Sequence, residues 1–289
     1  MSRAPLIVAR AGRGAHCDAA FDAFGDGFGE FPGAASDKVS GETHRSAGDG
    51  DVVVLRELSA PWCRVPHATL VLLAITSDAA PLRRGDAAQF EFDIALPPTI
   101  VRSLRLRRRS YLAGRASALL AMRRHGLAEA RSPAIADHGG PLWPSGIVGS
   151  ISHSATHAAA VVASAEVYRG IGIDLEDRMT DAIADSVAPL VASEVLDGSL
   201  RIEGPPADIA SVVTAVFSAK ESLFKCLRPL IDDFFDFSDA SMLALDFASR
   251  RGRLRLRRTL APSIREGLEF DVDVHADAGM IRTMIAWPG

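Results

Sequence analysis

The sequence predicts an α+β fold built from two halves of similar make-up. The first observation is a helical stretch from about residue 99 to 125, opened by Pro97 and Pro98 and closed by Gly126. The second is another helical stretch, over residues 211–228, with one apolar face. The third is that short segments around both helices are either apolar throughout or alternate apolar and polar residues, as strands do.

The first half contains the arginine-rich helix and at least three strands. Residues 1–50 are dominated by Gly, Ala, Asp and Ser, and glycines interrupt every periodic pattern, so we expect a loosely ordered extension. Strands are predicted at 51–55 and at 68–75, the second nearly all apolar and therefore buried. A Pro- and Gly-rich loop over 133–144 precedes a further buried strand at 158–163.

The helix over 99–125 presents several arginines outside its apolar stripe. Arg108 and Arg115 are seven residues apart and therefore lie on one face, about two turns from each other. A solvated charged face is the ordinary interpretation of such a helix. A guanidinium also suits phosphate oxygens, because its planar fork donates two parallel hydrogen bonds.

The second half begins at about residue 169, after a short connection over residues 166–169, and its first strand is predicted at Gly170–Glu176. A helical pattern covers 181–196, and the helix over 211–228 follows. Four later segments have the pattern of strands, and they are residues 243–247, 253–257, 270–274 and 280–287.

Acidic residues alternate with apolar ones in the segment Gly172–Glu176. On a strand, Asp174 and Glu176 would share one face, where two carboxylates repel each other unless a cation lies between them. Oxygen ligands of this kind suit Mg²⁺. Glu221 and Lys225 are four apart on a predicted helix and share a face, so they could add a third carboxylate and an ammonium. Such a set would suit a metal-bound diphosphate.

Each of these patterns also has an ordinary structural interpretation. An acidic pair on a strand is often a solvated face. The sequence Ser218-x-x-Glu221 fits a capping box at the start of a helix, which would give Glu221 no chemical role. The pair of Glu221 and Lys225 could be a surface ion pair of little energetic consequence.

Composition excludes several classes of protein. The formal charge of −4 gives no reason to expect a nucleic-acid partner. Three scattered cysteines favour neither a disulfide framework nor a zinc site, and they fit a reducing compartment. The longest apolar stretch, residues 68–75, is far too short to span a bilayer, and no signal peptide is recognisable. We therefore expect a soluble, cytoplasmic protein without a membrane partner.

Five segments, in this order, resemble the motifs of one known family. They are Arg108–Arg115 (RRSYLAGR), Pro141–Ser154 (PLWPSGIVGSISHS), Gly172–Glu176 (GIDLE), Phe217–Lys225 (FSAKESLFK) and Phe234–Ala240 (FFDFSDA). The family is the 4′-phosphopantetheinyl transferases of the surfactin/enterobactin-synthetase type, and the resemblance is to the enterobactin branch. It covers roughly residues 50 to 289.

The resemblance implies a pseudo-dimer of two similar α+β halves, each a small antiparallel sheet packed on a long helix. The halves would be residues 51–168 and 169–289, with the active site in the cleft between them and residues 1–50 outside both. The implied reaction transfers the phosphopantetheine arm of coenzyme A to a serine of an apo carrier protein, with Mg²⁺, and releases 3′,5′-ADP. Siderophore or other secondary-metabolite biosynthesis is the implied setting, and we expect a monomer.

The same resemblance assigns roles to individual residues. Mg²⁺ would be held by Asp174, Glu176 and Glu221. Catalysis would depend on Glu221 and Lys225, with either Glu221 or a metal-bound water as the base that accepts the seryl proton. The residues assigned to coenzyme A are Arg108, Arg115, Ser152, His153, Lys220 and Lys225.

The carrier protein would present an acidic helical surface. Arg253, Arg255 and Arg257 alternate along one predicted strand and could dock it, although an antiparallel strand with one wet face is the ordinary explanation of the pattern. Two other functions fit parts of the sequence. One is a catalytically inactive module that binds coenzyme A. The other is an unrelated Mg²⁺-dependent phosphate-transfer enzyme, which should carry a phosphate loop or a second acidic cluster, and the sequence shows neither.

Overall fold

The computed structural model describes residues 6–12, 52–76, 90–137, 139–204, 208–277 and 279–289. The helices are α1 Pro98–Val101, α2 Arg105–Arg124, α3 Asp181–Val191, α4 Ser193–Leu196 and α5 Ile209–Leu227. The strands are β1 Leu6–Gly12, β2 Val52–Leu58, β3 Ala68–Ile75, β4 Phe90–Ala95, β5 Ala134–Ile135, β6 Pro141–Leu142, β7 Ile147–His153, β8 His157–Ser164, β9 Tyr168–Asp177, β10 Arg201–Glu203, β11 Ala240–Asp246, β12 Arg251–Leu256, β13 Glu269–Ala276 and β14 Met280–Pro288.

The first half is a six-stranded sheet with the strand order β4-β1-β2-β3-β8-β7 and α2 packed on one face. Neighbouring strands run antiparallel except for β1 and β4, which are parallel. Small side chains along β8, such as Ala158 and Ala160, are fully buried against α2. They allow the helix to lie close to the sheet, which places its central residues near β7.

The second half is a six-stranded sheet with the strand order β10-β11-β12-β13-β14-β9. Its neighbours are antiparallel except for β10 and β11. One face packs on α5, with Leu223 and Leu227 fully buried there. Strand β9 is the edge of this sheet, and β7 is the edge of the other.

The two sheets pack face to face, so that α2 and α5 lie on the outer faces. A shared core between the sheets contains Leu72 and Val161 from the first half and Ile173 and Leu175 from the second. The edge strands β7 and β9 meet through side chains, because the hydroxyl of Ser150 accepts a hydrogen bond from the backbone N–H of Ile173 at 3.1 Å. No helix among the described residues is long and apolar enough to cross a bilayer.

The structure confirms the predicted α+β fold and the long helix in each half. Helix α2 begins at Arg105 and not near residue 99, because Pro98–Val101 form a separate turn. The stretch 181–196 is divided at Ala192, whose φ of −143° and ψ of 44° are not helical. Strand β9 begins at Tyr168, so the predicted border at residue 169 falls inside a strand.

The prediction of a loosely ordered extension over residues 1–50 is wrong for Leu6–Gly12. This segment forms β1 and pairs with both β2 and β4. Ile7, Val8 and Ala9 are fully buried. The glycine-rich composition of the following residues hid a short apolar run that is long enough for one strand. Residues 13–51 lie outside the described part of the chain.

Candidate active site

Strand β9 and helix α5 approach each other closely at two glycines. A Cβ atom on Gly172 would lie 1.9 Å from the carbonyl oxygen of Ser222, and one on Gly170 would lie 2.4 Å from that of Cys226. Larger residues are therefore excluded at both positions. The close approach allows side chains of α5 to reach Asp174 on the same face of β9.

The carboxylate of Asp174 is buried and fully engaged. Its Oδ1 accepts hydrogen bonds from the ammonium of Lys225 at 2.6 Å and from the hydroxyl of Ser152 at 3.0 Å. Its Oδ2 accepts one from the hydroxyl of Ser218 at 2.8 Å. The structure thus joins residues of β7, β9 and α5, at the seam between the two halves.

Glu176 and Glu221 lie in the electrostatic field of Asp174. Burial, followed by the charge of Asp174, raises the pKa of Glu176 to about 9. Burial and the charge of Asp174 raise the pKa of Glu221 to about 7, against the opposing effect of Lys225. The Oε1 atom of Glu221 is buried and has no hydrogen-bond partner within the described part of the chain. A positive charge at this position would relieve both the repulsion and the unmet hydrogen-bonding capacity.

Lys225 supplies one such charge. Burial alone would lower the pKa of its ammonium, but Asp174, Glu221 and Glu176 together raise it above the ordinary value. The ammonium also donates to the hydroxyl of Ser152 at 3.2 Å. Lys225 therefore stays protonated among three carboxylates.

The chemistry of this donor set fits Mg²⁺, because three carboxylates offer only oxygen ligands. Within the described residues, however, no three His, Cys, Asp or Glu side chains form a group that could hold a metal in their present positions. The support for a metal comes from the mutual repulsion of Asp174, Glu176 and Glu221, together with the Oε1 of Glu221, which no described residue contacts by a hydrogen bond. The assignment of these three residues as ligands stays a prediction.

The residues assigned to coenzyme A occupy different positions. On β7, Ser152 faces β9, whereas His153 faces α2 at Gly114, where a Cβ atom would lie 2.9 Å from Ile151 and 4.0 Å from the ring of His153. The hydroxyl of Ser152 is engaged by Asp174, Lys225 and the backbone N–H of Leu175. Ser152 therefore orients the carboxylate and the ammonium of the site.

Arg115 follows Gly114 on α2 and is only 6% exposed. Its guanidinium lies over the ring of Tyr111 at 4.8 Å and forms no hydrogen bond or ion pair with any described residue. A buried cation without an anionic partner is costly, so this side chain is suited to an anionic ligand. Arg108 donates a hydrogen bond to the carbonyl of Ser103 at the start of the same helix.

Lys220 points away from this cluster. Its ammonium lies 2.9 Å from the carboxylate of Glu194 and donates to the carbonyl of Phe237 at 3.1 Å. Both charged side chains are almost fully buried, and Glu194 also accepts a hydrogen bond from the backbone N–H of Met242 at 2.8 Å. The structure does not bring Lys220 together with Asp174 or Lys225, and its predicted role in binding coenzyme A stays a prediction.

The arginines of β12 do not form a net basic surface. Arg253 donates to Asp271 at 2.7 Å and Arg255 donates to Glu269 at 2.9 Å, both across the pair of β12 and β13. Arg257 donates to the hydroxyl of Ser241. Two of the three arginines are therefore paired with acids on the wet face of an antiparallel pair, and Arg257, just beyond β12, has a neutral partner.

Sequence reasoning missed three residues beside the cluster, Ser218, Ser222 and Thr283, and also Glu194, the partner of Lys220 away from it. The signal for Ser218 and Ser222 was their spacing of four on the face of α5 that also carries Lys225. Thr283 could have been recognised as a polar residue among the apolar residues on one face of β14. Glu194 gave no signal, because its partner is distant in the sequence.

Two family models match the chain. One is described as the 4′-phosphopantetheinyl transferase N-terminal domain and matches residues 98–163. The other is described as the 4′-phosphopantetheinyl transferase superfamily and matches residues 170–270. Together they cover more than half of the chain. The second match includes every residue predicted to hold the metal, and the first includes Arg108, Arg115, Ser152 and His153.

Curated relatives agree with these models. Enterobactin synthase component D of Salmonella typhi is 38% identical over 121 residues, which are 42% of this chain and 48% of the relative. The 4′-phosphopantetheinyl transferase Npt of Nocardia iowensis is 33% identical over 150 residues, 49% of this chain and 61% of the relative. The 4′-phosphopantetheinyl transferase PptT of Mycobacterium tuberculosis is 31% identical over 151 residues. The match to the enterobactin synthase components spans about half of their length.

Proposed function

Because the chain belongs to the 4′-phosphopantetheinyl transferase superfamily, we propose that it transfers the phosphopantetheine arm of coenzyme A to a serine of an apo carrier protein. The observation that carries this proposal is the cluster of Asp174, Lys225 and Glu221 at the seam between the halves. It combines an ammonium, paired with Asp174, and the carboxylate of Glu221, whose Oε1 has no partner among the described residues. Such a site can hold a diphosphate and accept a proton beside it.

In the proposed reaction the seryl oxygen forms a bond to the β-phosphorus of coenzyme A. The bond from this phosphorus to the bridging oxygen breaks, and 3′,5′-ADP leaves with the electron pair. Glu221 is the proposed acceptor of the seryl proton, since its Oε1 meets no donor among the described residues. Lys225 stabilises the negative charge that develops on the phosphate oxygens.

Asp174, Glu176 and Glu221 are the proposed ligands of Mg²⁺, which would neutralise phosphate oxygens when bound. Arg115 and Arg108 on α2 are proposed to bind phosphates of coenzyme A, with His153 on β7 beside them. The buried guanidinium of Arg115, without an anionic partner among the described residues, supports this assignment.

We also propose a setting for the reaction. The similarity to enterobactin synthase components favours a carrier protein of siderophore or other secondary-metabolite assembly. The cytoplasm is the proposed location, since coenzyme A is available there. A monomer suffices, because β7, β9 and α5 of one chain supply the whole cluster.

The test is intact-mass spectrometry of several apo carrier proteins after incubation with the full chain, coenzyme A and Mg²⁺. We expect one carrier to gain the mass of a single phosphopantetheine, and 3′,5′-ADP to form in equal amount. Asp174→Ala and Glu221→Gln should abolish the gain while both variants keep the wild-type circular dichroism spectrum. No gain on any carrier with the wild-type chain, or full activity of either variant with Mg²⁺ limiting, would overturn the proposed mechanism.

A further inference from the structure

One polar side chain interrupts an otherwise apolar row of the C-terminal strand. The residues of β14 that face α5 are Ile281, Thr283 and Ile285, and all three are buried. Thr283 is fully buried and stands directly opposite Asp174 in the pairing of β14 with β9. A hydroxyl at such a position needs hydrogen-bond partners, since burial without them costs free energy.

Thr283 finds its partners on α5. Its Oγ1 lies 2.9 Å from the hydroxyl of Ser218 and 2.8 Å from the hydroxyl of Ser222, and it can donate to the carbonyl of Ser218 at 2.8 Å. Ser222 can also donate to the carbonyl of Thr283 at 3.1 Å. Both serines are fully buried. These three hydroxyls, with the carboxylate of Asp174, form one continuous network that is closed to water.

Counting protons fixes one direction in this network. Each hydroxyl has one proton, and a carboxylate can only accept, so Ser218 must donate to Oδ2 of Asp174. The proton of Thr283 can go to the hydroxyl or the carbonyl of Ser218, or to the hydroxyl of Ser222. The proton of Ser222 can go to the hydroxyl or the carbonyl of Thr283. Every hydroxyl of the network therefore has an acceptor, and the network ends on Oδ2 of Asp174.

We propose that Thr283 and Ser222 are positioning residues for the metal and diphosphate site, acting on the carboxylate of Asp174 through the hydroxyl of Ser218. Linked hydrogen bonds strengthen one another, and together they hold the Oδ2 side of the carboxylate against α5. The Oδ1 side is left toward Ser152 and Lys225. Partners of this kind fix the orientation of a metal-ligating carboxylate, and their loss commonly lowers metal affinity. The inference rests on the proposed Mg²⁺ site.

The test measures metal binding by the full chain without substrates. Mn²⁺ replaces Mg²⁺, and its free concentration is followed by electron paramagnetic resonance. Thr283→Val keeps the shape of the side chain and removes the hydroxyl, so we expect about a tenfold weaker Mn²⁺ affinity. Thr283→Ser restores the hydroxyl and should restore the affinity. Ser222→Ala should give a smaller loss, because it removes only the outermost donor.

Ser117→Ala is the matched control. Ser117 is also fully buried and donates to a helix carbonyl, that of Ala113, but it lies on α2 outside the network. The Ser117→Ala variant should bind Mn²⁺ with the affinity of the wild type. Thermal unfolding should show whether Thr283→Val costs more stability than this control. Should Thr283→Val fail to fold, Ser222→Ala and Thr283→Ser carry the same comparison.

The possible outcomes separate the inference from the proposed function. Wild-type affinity in Thr283→Val, beside lost affinity in Asp174→Ala, would overturn the role of the network alone. A loss in Thr283→Val that Thr283→Ser does not restore would also overturn it. A wild-type chain that binds no Mn²⁺ would overturn the proposed metal site, and the inference with it.

Discussion

At the scale of single residues, the pair of Lys220 and Glu194 shows how a motif residue can serve the fold. The two charges are separated by 2.9 Å, and both side chains are at most 4% exposed. Burial lowers the pKa of Lys220, and the carboxylate of Glu194 opposes that shift. A buried ion pair of this kind is strongly destabilised when one partner is removed, because the other charge is left alone.

Lys220→Met alone should lower the free energy of unfolding by about 3–5 kcal/mol, because Glu194 would stay buried without a cation. The double variant Lys220→Met/Glu194→Gln should regain most of this loss. Its glutamine carbonyl can still accept the hydrogen bond from Met242. Urea denaturation measures both free energies.

The same double variant tests the role that sequence resemblance gave to Lys220. If the ion pair is structural, the KM for coenzyme A should stay close to the wild-type value once stability is restored. A raised KM in a variant of wild-type stability would show instead that the ammonium reaches coenzyme A.

Arg115 presents the opposite case, a buried cation that meets no acid among the described residues. Arg115→Ala should raise the KM for coenzyme A roughly tenfold, since a hydrogen bond to a charged group contributes about 1.5–3 kcal/mol. The kcat should change less, because the phosphates are bound in the ground state as well. Arg123→Ala, at an exposed position on the same helix, is the control. An unchanged KM for coenzyme A beside a changed KM for the carrier protein would contradict the assignment.

At the scale of elements, the position of α5 on β9 decides where Glu221 and Lys225 lie. Gly170 and Gly172 have no Cβ atom, so the backbone of α5 at Cys226 and Ser222 can lie directly against β9. The packing that brings Lys225 to Asp174 therefore depends on these two glycines.

Gly172→Ala should destabilise the chain by at least about 3 kcal/mol, because a Cβ atom 1.9 Å from the carbonyl of Ser222 forces the helix away. A chain that still folds should also lose transfer activity, since Lys225 moves with the helix. Gly279→Ala, where the added atom meets nothing within 4 Å, is the control for the substitution itself. Equal unfolding free energies in the two variants would show that the helix can move without cost.

The sequence was sufficient to predict elements and residues that depend on local patterns. Apolar spacing predicted α2 and α5, and alternation predicted that Asp174 and Glu176 share a face of β9. It could not predict the pairing of β1 with β4, which joins residues more than 80 positions apart. Nor could it predict the partner of Lys220, because Glu194 comes from a separate short helix and nothing in its neighbourhood marks it as buried.

At the scale of the whole molecule, the contact between the two sheets carries its own titratable group. His275 on β13 is buried, and its ring lies 5.6 Å from the ring of Trp62, which belongs to the first half. Burial, followed by the positive charges of Arg250, Arg64, Arg282 and Arg251, lowers the pKa of His275 to about 4. These arginines come from both halves, so protonating His275 would add a charge to an already positive junction.

Acidification should therefore weaken the association of the two halves. The pKa of His275 is about 4 in the folded chain and near 6.5 in an unfolded one, so between these values the unfolded state binds more protons. The stabilisation by neutral His275 is complete above about pH 6.5 and is lost as the pH falls toward 4. Between pH 7 and pH 5 this residue should account for about 2 kcal/mol of the loss in unfolding free energy.

Urea denaturation at the two pH values measures this loss, and His275→Asn should remove it, because asparagine does not titrate. The exposed His67, in a loop of the first half, supplies the control His67→Asn, which should leave the pH dependence of the wild type unchanged. If His275→Asn loses as much stability as the wild type between pH 7 and pH 5, then the acid sensitivity arises elsewhere. The junction between the sheets would then tolerate the positive charge of His275 beside the four arginines. The packing of the junction, together with Asp273 and Asp277, which pair with two of these arginines, would have to outweigh the repulsion.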